Sequence, residues 1–100
     1  MEKLAKFRAA LNEIDEQIIT LLGQRYAICR SVAKHKKEQH IPVMQHDRVN
    51  EVKDRCADLA TQLQIDPDFV RELYSLIIDE ACRIEDEIIN NPNSDGGIGS

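Results

Sequence analysis

Apolar residues recur at alternating spacings of three and four along the first third of the chain, which is the period of one helical face. Arg25 interrupts the series, whose apolar members are Leu4, Phe7, Leu11, Ile14, Ile18, Leu21, Ile28 and Val32. No proline precedes Pro42, so nothing forces a break in this stretch. The pattern predicts one long helix over about 3–38.

Such a helix is on the order of 50 Å long, whereas a compact chain of this size has a radius of gyration of about 13 Å. The rest of the chain cannot cover the apolar face of so long a helix. We therefore expect a homodimer in which the two long helices pack against each other, antiparallel by two-fold symmetry.

Two shorter helices follow a break at EQHIPVMQHD, where Pro42 disfavours helix. Apolar residues at helical spacing predict a second helix over about 47–64, with Asp47 or His46 as its N-cap. The third helix is expected to begin with Asp66 as N-cap and Pro67 as its first residue. Its apolar face comprises Phe69, Val70, Leu73, Ile77, Ala81, Ile84 and Ile88.

The third helix should end near residue 90, where a segment rich in Pro, Asn and Gly begins. The prediction is therefore an all-α protein of three helices, one of them very long, in a single domain over 1–90. Residues 91–100 are expected to form a disordered tail.

The composition of the chain excludes several classes of protein and partner. The 100 residues are 42% hydrophobic and 31% charged, as in a compact soluble domain, and no apolar run reaches the roughly 18 residues of a membrane helix. The formal net charge of -5 argues against a nucleic acid or an anionic membrane as a partner. A cytoplasmic protein is expected.

Neither the cysteines nor the histidines have the spacing of a metal site. Cys29, Cys56 and Cys82 are odd in number and suit neither a metal knuckle nor a set of disulfides, so we interpret them as buried, reduced thiols. Three histidines lie in or near the first loop, where solvent exposure is the better interpretation. No metal or other cofactor is expected.

Arg25 occupies a position of the apolar series where Leu or Ile would be expected. Lys36 lies 11 residues further on, and 11 steps of about 100° return to nearly the same helical face. Cys29 and Val32 lie between the two cations, so this face carries no acid of its own. The counter-anion is either an acidic residue on a neighbouring helix or a ligand.

Three other charged residues are candidates for the same site. Arg8 is about 25 Å from Arg25 along the helix, too far for both to hold one ligand unless they come from two chains of an antiparallel dimer. Arg48 begins the second helix, where amide groups also favour anions. Glu85 borders the apolar face of the third helix, where a structural ion pair is the simpler interpretation.

Taken together, these segments resemble the all-helical chorismate mutase family, and the match covers residues 4–89. The matching segments are FR at 7–8, IDE at 14–16, LLGQR at 21–25, VAKHK at 32–36, IPV at 41–43, DR at 47–48 and LYSLIIDE at 73–80. No single segment is specific, but their order and spacing are.

The resemblance implies an intertwined homodimer with shared active sites, each joining Arg8 of one chain to Arg25, Lys36 and Arg48 of the other. The arginines would hold the carboxylates of a small dicarboxylate substrate. Lys36 and Glu85 would hydrogen-bond the ether oxygen whose bond breaks, so the resemblance implies Lys36, Glu85 and Arg25 as catalytic residues. A concerted rearrangement needs no nucleophile or metal.

Three positions depart from the family's commonest pattern. Val49 stands where many members carry Glu, Gln45 where an acid is common, and Ala81 where some members carry a small hydroxyl residue. All three positions are expected to contact substrate. The resemblance extends to relatives that rearrange 4-amino-4-deoxychorismate and to isochorismate-pyruvate lyases.

We expect the Claisen rearrangement of chorismate to prephenate, or that of its 4-amino analogue. The alternatives are a lyase and a catalytically silent helical dimer that acts as an interaction module. In the silent dimer, Arg25 and Lys36 would merely pair with Glu85 or Asp79.

Overall fold

The computed structural model describes residues 2–90, and all its regular elements are helices: α1 over Glu2–Gln39, α2 over His46–Gln62 and α3 over Pro67–Asn90. The prediction of an all-α, three-helix chain with one very long helix is confirmed. The predicted disordered tail, 91–100, lies outside the described residues.

α1 ends because its last carbonyls are capped by a left-handed residue. His40 has a φ of 57°, and the amide of Ile41 donates to the carbonyl of Lys36 at 2.9 Å. This is the hydrogen bond of a Schellman motif, and Pro42 follows, where helix is disfavoured. The chain leaves α1 as a short loop that stays close to Lys36.

The predicted bounds of α2 were wrong by one to two residues. Gln45, in an extended conformation, is the N-cap, rather than Asp47 or His46, and its side chain makes no cap hydrogen bond. The helix stops at Gln62 rather than residue 64, because Gln64 has a φ of 63° and the Ile65 amide bonds back to Ala60 at 2.8 Å. A left-handed residue cannot continue the helix.

The start of α3 follows the prediction. Pro67 is the first helical residue, and the Asp66 side chain accepts a hydrogen bond from the Asp68 amide at 2.9 Å. The fixed φ of proline suits the first turn, and Asp66 pairs one of the amides that the helix leaves free.

α3 packs against both other helices and carries most of the core. The Tyr26 hydroxyl on α1 also donates to the Ile77 carbonyl on α3 at 3.1 Å. The buried apolar residues are Ala33, Val52, Ala57, Ala60, Val70, Ile77, Ile78, Ala81 and Ile84. Phe69 and Leu73, predicted on the inner face, are exposed because no element within residues 2–90 covers them.

The first half of α1 projects away from the other helices. Every residue from 2 to 21 is exposed, and Ala33 is the one buried residue of α1. The radius of gyration is 17.5 Å, well above the ~13 Å of a compact chain of this length. Within residues 2–90, no helix is long and apolar enough to cross a membrane.

Candidate active site

A cavity of about 420 Å³ lies between the second half of α1, the following loop, the start of α2 and the second half of α3. It collects seven of the eight residues predicted to bind substrate. These are Arg25, Lys36, Gln45, Arg48, Val49, Ala81 and Glu85. Val32 and Cys29 also line it, so the α1 face predicted from the 11-residue spacing is the cavity wall.

Lys36 and Glu85 form an ion pair across the cavity. The Lys36 Nζ donates to Glu85 Oε1 at 2.9 Å and to the Val43 carbonyl at 2.9 Å. The two side chains are only 15% and 9% exposed. The loop carbonyl and the α3 carboxylate therefore hold the ammonium group from two sides, as an ion pair with little access to water.

Arg25 has no such partner. Within residues 2–90 no carboxylate lies within ion-pair distance of its guanidinium, which donates only to Cys29 Sγ at 3.9 Å. The guanidinium also lies 5.9 Å from the centre of the Tyr74 ring on α3. The silent-dimer interpretation expected acids against both Arg25 and Lys36, and the structure provides one for Lys36 alone.

Arg48 lies at the rim of the cavity, where it is exposed and ion-paired with Glu51 one turn further along α2. Its guanidinium can turn into the cavity or out to solvent, because exposed pairs of this kind contribute little stability. Gln45 is exposed beside it, while Val49 is half-buried and adds an apolar side chain to the wall.

Arg8 is the predicted site residue that this cavity does not include. It is exposed on the projecting half of α1, about 25 Å along the helix from Arg25. One chain alone therefore does not bring Arg8 to the other cations.

Two thiols line the cavity, and the sequence interpretation of them as buried structural residues was wrong in part. Cys29 and Cys82 are free and only half-buried. Burial raises the pKa of the Cys29 thiol and of the Cys82 thiol, and the Glu85 charge raises both further. A signal for Cys82 was present, since 78, 81, 82 and 85 recur at helical spacing on one face.

The cavity is thus a positively charged pocket with mixed walls: three cations and one carboxylate face apolar side chains. It suits a small dianion with an apolar ring, held by charge at its carboxylates and by packing at its carbon skeleton. Within residues 2–90 no three His, Cys, Asp or Glu side chains are placed to hold a metal ion.

Comparison with known proteins adds the family. The family model described as chorismate mutase type II matches residues 7–86. The chain is 36% identical over 88 residues to a 4-amino-4-deoxychorismate mutase of Streptomyces pristinaespiralis. The aligned segment covers 88% of this chain and 68% of that protein.

Two further relatives agree. A 4-amino-4-deoxychorismate mutase of Streptomyces venezuelae is 34% identical over 88 residues, which is 88% of this chain and 85% of that protein. A chorismate mutase of Methanocaldococcus jannaschii is 28% identical over 79 residues, which is 79% of this chain and 80% of that protein.

Proposed function

The chain belongs to the chorismate mutase type II family, and from this premise we propose that it catalyses a Claisen rearrangement in the cavity described above. The substrate is chorismate, which becomes prephenate. The rearrangement breaks the ether C–O bond and forms a C–C bond within one molecule, so no atom is gained or lost. The observation that carries the proposal is the convergence of Arg25, Lys36 and Arg48 on one cavity.

Each side chain has a role that its position supports. Arg25 and Arg48 flank the cavity and hold the substrate carboxylates by charge-assisted hydrogen bonds. Lys36, fixed by the Val43 carbonyl and Glu85, presents its ammonium group to the ether oxygen, which gains negative charge as its bond breaks. Fixed positive charge at that atom lowers the barrier because it needs no rearrangement during the reaction.

The cavity shape contributes as well. A concerted rearrangement requires the two ends of the substrate to be folded onto each other, and holding that geometry removes part of the entropic cost. The apolar side chains of Val49 and Ala81 restrict the ring while the cations fix the carboxylates.

A second substrate, 4-amino-4-deoxychorismate, is favoured by a specific observation. Both Streptomyces relatives bear the name of that reaction and are more than 30% identical to this chain. The same cations would hold the same two carboxylates, so the two candidates differ only in the ring substituent. Neither the lyase nor the silent helical dimer gains support from the comparisons.

We also propose that the active protein is a homodimer with shared sites. The exposed half of α1 carries large apolar residues, including Phe7, Leu11 and Leu21 at 57–61% exposure, which is costly unless a partner covers them. In two antiparallel α1 helices that meet near residues 16–17, Arg8 of one chain lies level with Arg25 of the other. The exposed Ile14 and Ile18 flank that midpoint.

The test is to incubate the purified protein separately with chorismate, 4-amino-4-deoxychorismate and isochorismate, and to identify products by mass and absorbance. Rearrangement leaves the mass unchanged, whereas a lyase splits off pyruvate. Arg30 is exposed on α1 and absent from the cavity, so Arg30→Ala serves as the matched control for Arg25→Ala. No turnover of any substrate would refute the proposed function.

A further inference from the structure

Arg25 reaches the cavity without the support that usually fixes a guanidinium. Its neighbours are the Cys29 sulfur, a weak acceptor at 3.9 Å, and the Tyr74 ring, whose centre is 5.9 Å away. Arginine side chains lose considerable rotamer freedom when they are held in one place. The Tyr74 ring is therefore the main contact that can orient the Arg25 guanidinium.

Tyr74 is half-buried on α3. Burial raises the pKa of its hydroxyl, the Cys56 side chain of α2 raises it further, and the Arg25 charge lowers it. The tyrosine therefore lies beside both other helices: its hydroxyl is near Cys56 of α2, and its ring approaches the Arg25 guanidinium of α1.

We propose that Tyr74 is a positioning residue for Arg25: its ring holds the guanidinium toward the cavity by a cation–π contact. A ring fixes the direction of the cation without neutralising it, as a carboxylate would, so Arg25 keeps its charge for a substrate carboxylate. Tyr74 does not line the cavity, so it would act on the substrate only through Arg25. The inference rests on the proposed function for its kinetic consequence but not for the contact itself.

Two variants separate the ring from the hydroxyl. Tyr74→Phe keeps the ring and should leave kcat/KM within about twofold of the wild type, while Tyr74→Leu removes the ring and should lower kcat/KM by about 2- to 30-fold. Tyr26→Leu is the matched control, because Tyr26 also joins α1 to α3 but does not stack on Arg25. It should cost stability and leave kcat/KM unchanged.

A measurement independent of turnover tests the contact directly. In ¹H–¹⁵N spectra the Arg25 Nε–H resonance should carry a ring-current shift that persists in Tyr74→Phe and Tyr26→Leu and disappears in Tyr74→Leu. If the wild type turns over no substrate but the shift behaves this way, the proposed function fails and the contact stands.

Three results would overturn the inference. An Arg25 resonance indifferent to Tyr74→Leu would exclude the ring contact. Equal kinetic losses in Tyr74→Phe and Tyr74→Leu would assign the effect to the hydroxyl and Cys56. If Tyr74→Leu and Tyr26→Leu lose kcat/KM equally, and the loss follows the decrease in melting temperature, Tyr74 has only a structural role.

Discussion

The two cations that share the inner face of α1 are held in different ways. Lys36 is enclosed by a carbonyl and a carboxylate, whereas Arg25 is half-buried and has no acidic partner within residues 2–90. Removal of either cation should therefore lower activity, but the two removals should differ in their effect on stability.

Lys36→Ala should lower kcat by about 10²–10³, the usual cost of losing one preorganised donor at developing charge. Arg25→Ala removes a contact to a substrate carboxylate and should lower kcat/KM by about 10- to 150-fold, the usual cost of a lost hydrogen bond to a charged group. Lys36→Ala should also lower the free energy of unfolding by about 1–3 kcal/mol, because it leaves Glu85 buried without its partner. Arg25→Ala should unfold like the wild type. Steady-state kinetics and urea unfolding check both; wild-type activity in either variant would contradict the assigned roles.

Glu85 accepts the hydrogen bond of the Lys36 ammonium group at 2.9 Å and so fixes that group in the cavity. Glu85→Gln keeps an acceptor oxygen in nearly the same shape, whereas Glu85→Ala removes the partner of Lys36 altogether. Glu85→Gln should therefore lower kcat/KM less than Glu85→Ala does, and steady-state kinetics of the two variants check this. Equal losses in the two variants would show that the amide cannot replace the carboxylate, and wild-type activity in Glu85→Ala would contradict the role of Glu85 in the site.

The cavity thiols provide a pH-dependent probe of the site. Since the pKa of Cys29 and of Cys82 is raised by burial, both should stay neutral thiols above the pH at which a free cysteine ionises, and iodoacetamide should alkylate them slowly at pH 7. The contribution of these thiols to stability is present below their pKa in the unfolded chain. It is lost as the pH rises through their higher pKa in the folded chain.

Mass spectrometry of alkylated protein, with Cys29→Ser and Cys82→Ser to separate the two signals, measures the rates. Substrate in the cavity should slow both reactions. Alkylation at neutral pH as fast as that of free cysteine, with no protection by substrate, would place the thiols elsewhere than the cavity wall.

At the scale of elements, α3 forms one wall of the cavity and most of the core, so its start must be well defined. Asp66→Ala removes the oxygen that accepts from the Asp68 amide and should destabilise the chain by about 1 kcal/mol. kcat/KM should not change, because the cap lies at the opposite end of α3 from Glu85. Thermal unfolding tests this, with Asp58→Ala at an exposed position of α2 as the control. Equal melting temperatures would show that the cap is dispensable.

For the whole molecule, the exposed apolar half of α1 predicts a dimer at micromolar concentration, which sedimentation can measure. Mixing Arg8→Ala with Arg25→Ala subunits should restore about one intact site per heterodimer. In such a heterodimer both substitutions fall in one of the two shared sites and leave the other site unchanged. Arg30→Ala in place of Arg8→Ala provides the control for subunit exchange. A folded, active monomer, or no recovery after exchange, would refute the shared site.

The sequence by itself determined the three helices, because helix formation depends on local features that the chain displays directly. The three-four spacing of apolar residues specified the helices, Pro42 the first break, and Asp66 with Pro67 the start of α3. The common face of Arg25 and Lys36 also followed from helical geometry alone. The ends of α2 did not, because left-handed caps at residues such as Gln64 leave only weak signals in sequence.

Only the tertiary structure decided which side chains meet across helices. The pairing of Lys36 with Glu85, the ring of Tyr74 near Arg25 and the exposure of Phe69 depend on how α3 packs against α1 and α2. Periodicity identifies the face that a residue occupies within its own helix, but the distance and angle between helices arise from packing of the whole core. Contacts between helices are therefore properties of the fold.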